Sequence, residues 1–105
     1  MKFVNLTPHE VRIINGDSDI VIPTSGVVAR AKVVQELIFN LDGIPVYKNV
    51  YGETIGLPAP SEGVIYIVSA LAAQGCSNRE DVFVPNDSVR DENGKIVGCR
   101  SLARI

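Results

Sequence analysis

Along most of this chain apolar and polar residues alternate with a period of two, and Gly, Pro or Asn interrupts the alternation at intervals of roughly eight to twelve residues, the spacing of short strands joined by turns. Successive side chains of a strand point to opposite faces, so this pattern predicts strands and not helices. Lys2 to Asn5 reads as a short strand. Thr7-Pro8 then forces an extended or turned backbone, because proline restricts the residue before it. Glu10 to Ile14 and Asp19 to Pro23 read as two strands around Asn15-Gly16, a strong hairpin signal. From Val27 to Leu41 the odd positions are apolar except Gln35, which predicts a half-buried strand or a pair of strands broken near Gln35. A helix over Val33 to Asn40 is the competing reading. It lacks an N-cap and carries β-branched residues that disfavour it. Asp42-Gly43 turns the chain, and Ile44 to Tyr51 is the returning strand.

Pro58 to Gly63 is a rigid surface loop, since two prolines remove backbone donors. Val64 to Val68 is a continuous apolar run, the mark of a central strand covered on both faces. Ser69 can cap a helix built from Ala70-Leu71-Ala72-Ala73-Gln74, with Gly75 stopping it in the left-handed conformation. Asp81 to Pro85 is expected as a short edge strand. Ser88 to Glu92 and Lys95 to Ile105 flank Asn93-Gly94, a second hairpin signal. The expected fold is therefore mainly β: a small antiparallel barrel or sandwich of seven or eight strands, with one short helix near 70–75.

At 105 residues the chain is expected to form a single domain spanning 1–105. Aromatic residues make up only 6% and Trp is absent, so the core must come from Val, Ile, Leu and Ala. A chain this short buries only roughly 60–65% of its unfolded surface, which predicts assembly into a homo-oligomer. The formal charge of −2 and a pI near 5.3 argue against binding nucleic-acid polymers, which needs a basic face. The N-terminus is interrupted at once by polar residues and proline, and no apolar stretch approaches the length of a spanning helix. No membrane association and a cytoplasmic location are expected. Cys76 and Cys99 are too few for a disulfide framework and read as reduced, buried thiols.

Few residues suggest chemistry. His9, the sole histidine, lies beside a proline turn where a general base could sit. No nucleophile partner is visible near it, so its ring is expected to hold the turn. Asp17 with Asp19, Glu80 with Asp81, and Asp91 with Glu92 sit on turns and read as solvated, so neither a metal nor a cofactor is expected. The arginines carry more. Their planar fork suits phosphate and carboxylate groups. If Asn93-Gly94 is a two-residue turn, Arg100 lies opposite Asp87 as a cross-strand ion pair, and Arg90 lies opposite Val97 on an apolar face. Arg90 then needs a partner, an oligomer interface or a ligand. Arg30 interrupts a strand of small residues, and Arg79 heads the loop after the helix. Arg30, Arg79, Arg90 and Arg100 converging beside Tyr47, Tyr51, Tyr66 or Phe83 would form a nucleotide-sized site, with Tyr66 as the preferred stacking ring.

Three stretches carry a resemblance: Asn5-Leu6-Thr7-Pro8-His9, Val64-Ile65-Tyr66-Ile67-Val68-Ser69-Ala70-Leu71, and Val89 to Leu102, with Arg79-x-Asp81-Val82 and Pro85 between the last two. Together they resemble a family of small proteins encoded by bacteriophages, prophages and some bacteria, over most of the chain. The resemblance implies a small protein acting in an infected or lysogenic bacterial cell. It carries no catalytic motif. By analogy of size and context, the expected function is non-enzymatic sequestration of a nucleotide-derived immune signal, such as a cyclic nucleotide or an ADP-ribose derivative, in opposition to host defence. The alternatives are a small hydrolase or nuclease using His9 and carboxylates, and a structural or protein-interaction module.

Overall fold

A computed structural model describes all residues, 1–105. The alternating pattern becomes eight strands: β1 (Lys2–Asn5), β2 (Val11–Asn15), β3 (Ser18–Ile22), β4 (Arg30–Leu41), β5 (Ile44–Ile55), β6 (Val64–Ile67), β7 (Val82–Arg90) and β8 (Ile96–Ala103). One short helix, α1 (Ala70–Gln74), follows β6. The protein is β-rich with a single helix, as its alternation requires, and its main sheet curls into a half-barrel.

The strand pairing departs from the antiparallel expectation. The six-stranded sheet runs β1-β6-β7-β8-β2-β3 and is mixed. Only the hairpins β2–β3 and β7–β8 are antiparallel, while β1–β6, β6–β7 and β2–β8 are parallel. Turn signals reveal hairpins because those pairs are local, whereas the parallel partners are distant in sequence and leave no local mark. For the same reason β7 is not a short edge strand. It continues to Arg90 and lies inside the sheet, between β6 and β8. Beyond the last residue of β3 the sheet edges meet at one bridge, Asn5 to Thr24.

Val64 to Ile67 occupies the position that its unbroken apolar run predicts. Tyr66 and Val68 pack into one cluster with Leu6, Ala72, Ala73, Val82 and Val84. Ile67, pointing the other way, packs with Val11, Ile22 and Cys99. Both cysteines are free and buried. Ser69 caps α1, its hydroxyl accepting from the Ala72 N–H. Gly75 ends the helix but is right-handed, at φ −79°. What requires glycine there is space: a Cβ would come within 2.5 Å of Thr54 Oγ1 and 2.8 Å of the Gly52 carbonyl on β5. Gly98 plays the same part in the sheet, where a Cβ would stand 2.9 Å from the Arg12 carbonyl of β2.

The strands β4 and β5 are not half-buried. They form a separate two-stranded ribbon, and none of its residues is buried. The ribbon turns tightly at Asp42-Gly43, where Leu41 faces Ile44. Its presence stretches the molecule to 55 × 39 × 22 Å with a radius of gyration of 16.6 Å, whereas a compact chain of this length has about 13 Å. Period two marks these residues as strand. A pattern of one strand does not say whether anything in the same chain covers it.

Candidate functional site

The end of β1 and the turn after it are built around one polar side chain. Asn5 is fully buried, and each half of its amide is used. Its Nδ2 donates to the carbonyls of His9 (2.8 Å) and Ile22 (3.1 Å), and its Oδ1 accepts from the N–H and hydroxyl of Thr7 (2.9 and 2.7 Å). The Thr7 hydroxyl is also 2.7 Å from the His9 carbonyl. This network fixes the Thr7-Pro8-His9 turn. The part that His9 plays in it is its main-chain carbonyl. The imidazole, expected to hold the turn, instead stands exposed.

That exposed ring stands at the edge of a cleft of about 760 Å³. The cleft is lined by the turn (Thr7, His9), β2 (Val11, Arg12), the start of α1 (Ser69, Ala70), β7 (Pro85, Ser88) and the beginning of β8 (Lys95 to Cys99). Its apolar wall comes from Val11, Ile96 and Val97. Its charged groups are Glu10, Arg12 and Lys95, with the His9 ring beside them. Arg12 is already committed, 3.1 Å from Asp19 and 3.7 Å from Glu10. Lys95 takes part in none of the salt bridges, so its ammonium is the available cation. Ser69 also borders a shallower depression of about 350 Å³ at the root of the β4–β5 ribbon, lined by Pro8, Arg30, Tyr51 and Leu71 among others. Ser69 lines both hollows. The volume of the larger one suits a ligand of nucleotide size.

The four arginines singled out from the sequence do not meet in this cleft. Arg30 lies in the shallower depression, exposed at the start of β4. Arg79 is largely enclosed and forks onto Asp81, with Nε to Oδ1 at 2.8 Å and a second nitrogen to Oδ2 at 2.9 Å. It also donates to the Pro58 carbonyl at 2.9 Å. These bonds hold the Asp81 carboxyl below the usual carboxylate range and raise the Arg79 guanidinium above its ordinary value. Arg79 thus ties the proline loop to the entrance of β7. Arg100 makes the cross-strand pair with Asp87 at 3.3 Å, with both side chains more than half exposed.

Arg90 departs from its expected position. The β7–β8 connection is a five-residue loop, Asp91 to Lys95, closed by the Asp91 N–H on the Lys95 carbonyl at 2.9 Å. Asp91 Oδ1 accepts from the N–H groups of Asn93 and Lys95. The register shifts between Val89 and Arg90, so Arg90 faces Ile96 and not Val97. Its guanidinium is exposed and donates to the Gly94 carbonyl at 2.7 Å, bracing its own turn. Tyr66 cannot offer a stacking face, because it is 5% exposed and its hydroxyl bonds to the Ala59 carbonyl. Tyr51 is the exposed ring beside Arg30.

Sequence reasoning passed over Lys95 and Ser88. Lys95 reads in the sequence only as the first residue of the last strand. Its alternation with Val97 and Cys99 is the signal that could have found it: a cation at the head of an otherwise apolar series. No family model, curated protein or solved structure matches this chain.

Proposed function

We propose that the protein is a non-enzymatic binder that sequesters a small anionic, nucleotide-derived signal, as a phage protein opposing host defence would. The observation that carries this reading is the large cleft, in which the uncommitted Lys95 ammonium and the exposed His9 ring face an apolar wall. An ammonium and a hydrogen-bonding ring on an apolar surface suit a ligand with both a phosphate and a base. Arg30 and Tyr51, in the adjoining depression that Ser69 also lines, supply a guanidinium and an aromatic face for a ligand that extends beyond the cleft. Two features favour binding over catalysis. The hydroxyls of Thr7 and Ser69 are hydrogen-bonded to backbone groups and not to the imidazole. Arg12 and Glu10, the charged pair nearest His9 in sequence, are engaged with each other. The phage context rests on the sequence resemblance.

The test is to incubate the protein with a mixture of cyclic nucleotides and ADP-ribose derivatives, remove unbound material, denature by heat and identify what is released by mass spectrometry. An intact ligand is the expected result. Lys95→Ala should then weaken its retention by roughly ten- to hundred-fold, the effect of one charged hydrogen-bonding contact. Release of a cleaved product would move the assignment to a hydrolase using His9. Failure to retain any member would leave an interaction module.

A further inference from the structure

We infer that the β4–β5 ribbon is a dimerisation arm, clasped by a second copy of this chain about a two-fold axis. The ribbon consists of two twelve-residue strands with no buried residue. An isolated two-stranded ribbon is at best marginally stable in water, so something must cover it. Eleven of its large apolar side chains are 40–65% exposed. They lie on both faces. Leu37 and Tyr47 face each other across the ribbon on one side. A register shift between Leu37 and Phe39 then brings Phe39 opposite Val46, and Leu41 faces Ile44 at the tip.

The chemistry of the arm selects the occupant. Its charged residues are three basic (Arg30, Lys32, Lys48) and three acidic (Glu36, Asp42, Glu53), so it has no net charge. That disfavours an anionic membrane or a nucleic acid and leaves no repulsion between two identical arms. The polar rungs at mid-arm, Gln35 with Asn49 at 3.0 Å and Glu36 opposite Lys48, can pair with the same rungs of a copy. Because both faces are apolar, one flat partner would leave one face wet. Reciprocal exchange covers both, with each arm lying between the other arm and the other body. Aromatic side chains bury about 150–250 Å² and aliphatic ones somewhat less, so half-exposed they offer on the order of 1,000 Å² per arm. Counted over two arms, this reaches the roughly 1,600 Å² of total buried surface that stable complexes require. The inference stands whether or not the cleft binds a ligand.

The full-length protein at tens of micromolar should sediment at twice the 11.3 kDa subunit mass or an even multiple of it. The double variant Leu37→Lys/Tyr47→Glu keeps a cross-strand attraction in the ribbon while removing apolar contact. It should sediment as one subunit with an unchanged far-UV spectrum of the sheet. As a measurement needing no variant, amide exchange in Val33–Phe39 and Tyr47–Tyr51 should slow at least ten-fold between dilute and concentrated wild-type protein. A single-subunit mass, an odd multiple such as a trimer, a variant that keeps the dimer mass, or arm exchange independent of concentration would each overturn the inference.

Discussion

Asn5 carries more of the structure than any other polar residue. Its amide joins the end of β1, the Thr7-Pro8-His9 turn and the end of β3, and is itself shielded from solvent. Asn5→Ala should therefore destabilise the protein by about 2–4 kcal/mol in denaturant unfolding, because it strands the Ile22 carbonyl and a cavity remains. Asp81 sets a second test. Its carboxyl is held down by the Arg79 fork, so the stability it contributes is fully present above the ordinary carboxylate value of 3.8 and is lost as pH falls through the lower folded value. Asp81→Asn should cost about 1–3 kcal/mol at pH 7, and the gap to wild type should close in acid unfolding experiments below about pH 4. Arg100→Ala, by contrast, should change stability by less than about 1 kcal/mol, since its pair with Asp87 is solvent-exposed. Of the residues read from sequence, Arg100 was placed correctly because its partner is local. Arg90 was not, because a five-residue loop and a register shift replaced the two-residue turn on which its position depended.

Among the elements, the short helix was the most legible. Ser69, the alanines and Gly75 gave its start, body and end, and only the conformation of Gly75 differed. What demands glycine there lies outside the helix, in the approach of Thr54 and Gly52, which sequence spacing does not reveal. Gly75→Ala should accordingly behave unlike an ordinary helix-terminus change. It should push α1 away from the arm's root and lower the melting temperature by several degrees, corresponding to about 1–3 kcal/mol of overpacking. The hairpins were legible for the same reason as the helix, since their signals are contiguous. The parallel neighbours were not, because β1 meets β6 and β2 meets β8 across most of the chain. The candidate cleft inherits that difficulty, drawing its lining from four separate stretches.

For the whole molecule, the order of strands fixes how it must assemble. The first strand cannot pair until β6 has been made, and β2 cannot dock until β8 arrives. Such long loop closures place folding in the slow range, milliseconds to seconds. Stopped-flow refolding should show a main phase independent of protein concentration for the sheet. A later phase that accelerates with concentration would report the arms. Loss of that later phase in Leu37→Lys/Tyr47→Glu, with the first phase kept, is the expected outcome.

The union of β2 with β8 also has a mechanical meaning. These strands register at a single pair, Ile13 with Cys99, whereas β7 and β8 run together from Val84 to Arg90. The seam between β2 and β8 therefore holds fewer registered pairs than any other junction of the main sheet. The large cleft straddles that seam, with Val11 and Arg12 on one bank and Gly98 and Cys99 on the other. A ligand seated there would suture the two banks. Its binding would then be read most sensitively as slowed amide exchange across the Ile13–Cys99 seam, remote from the ribbon.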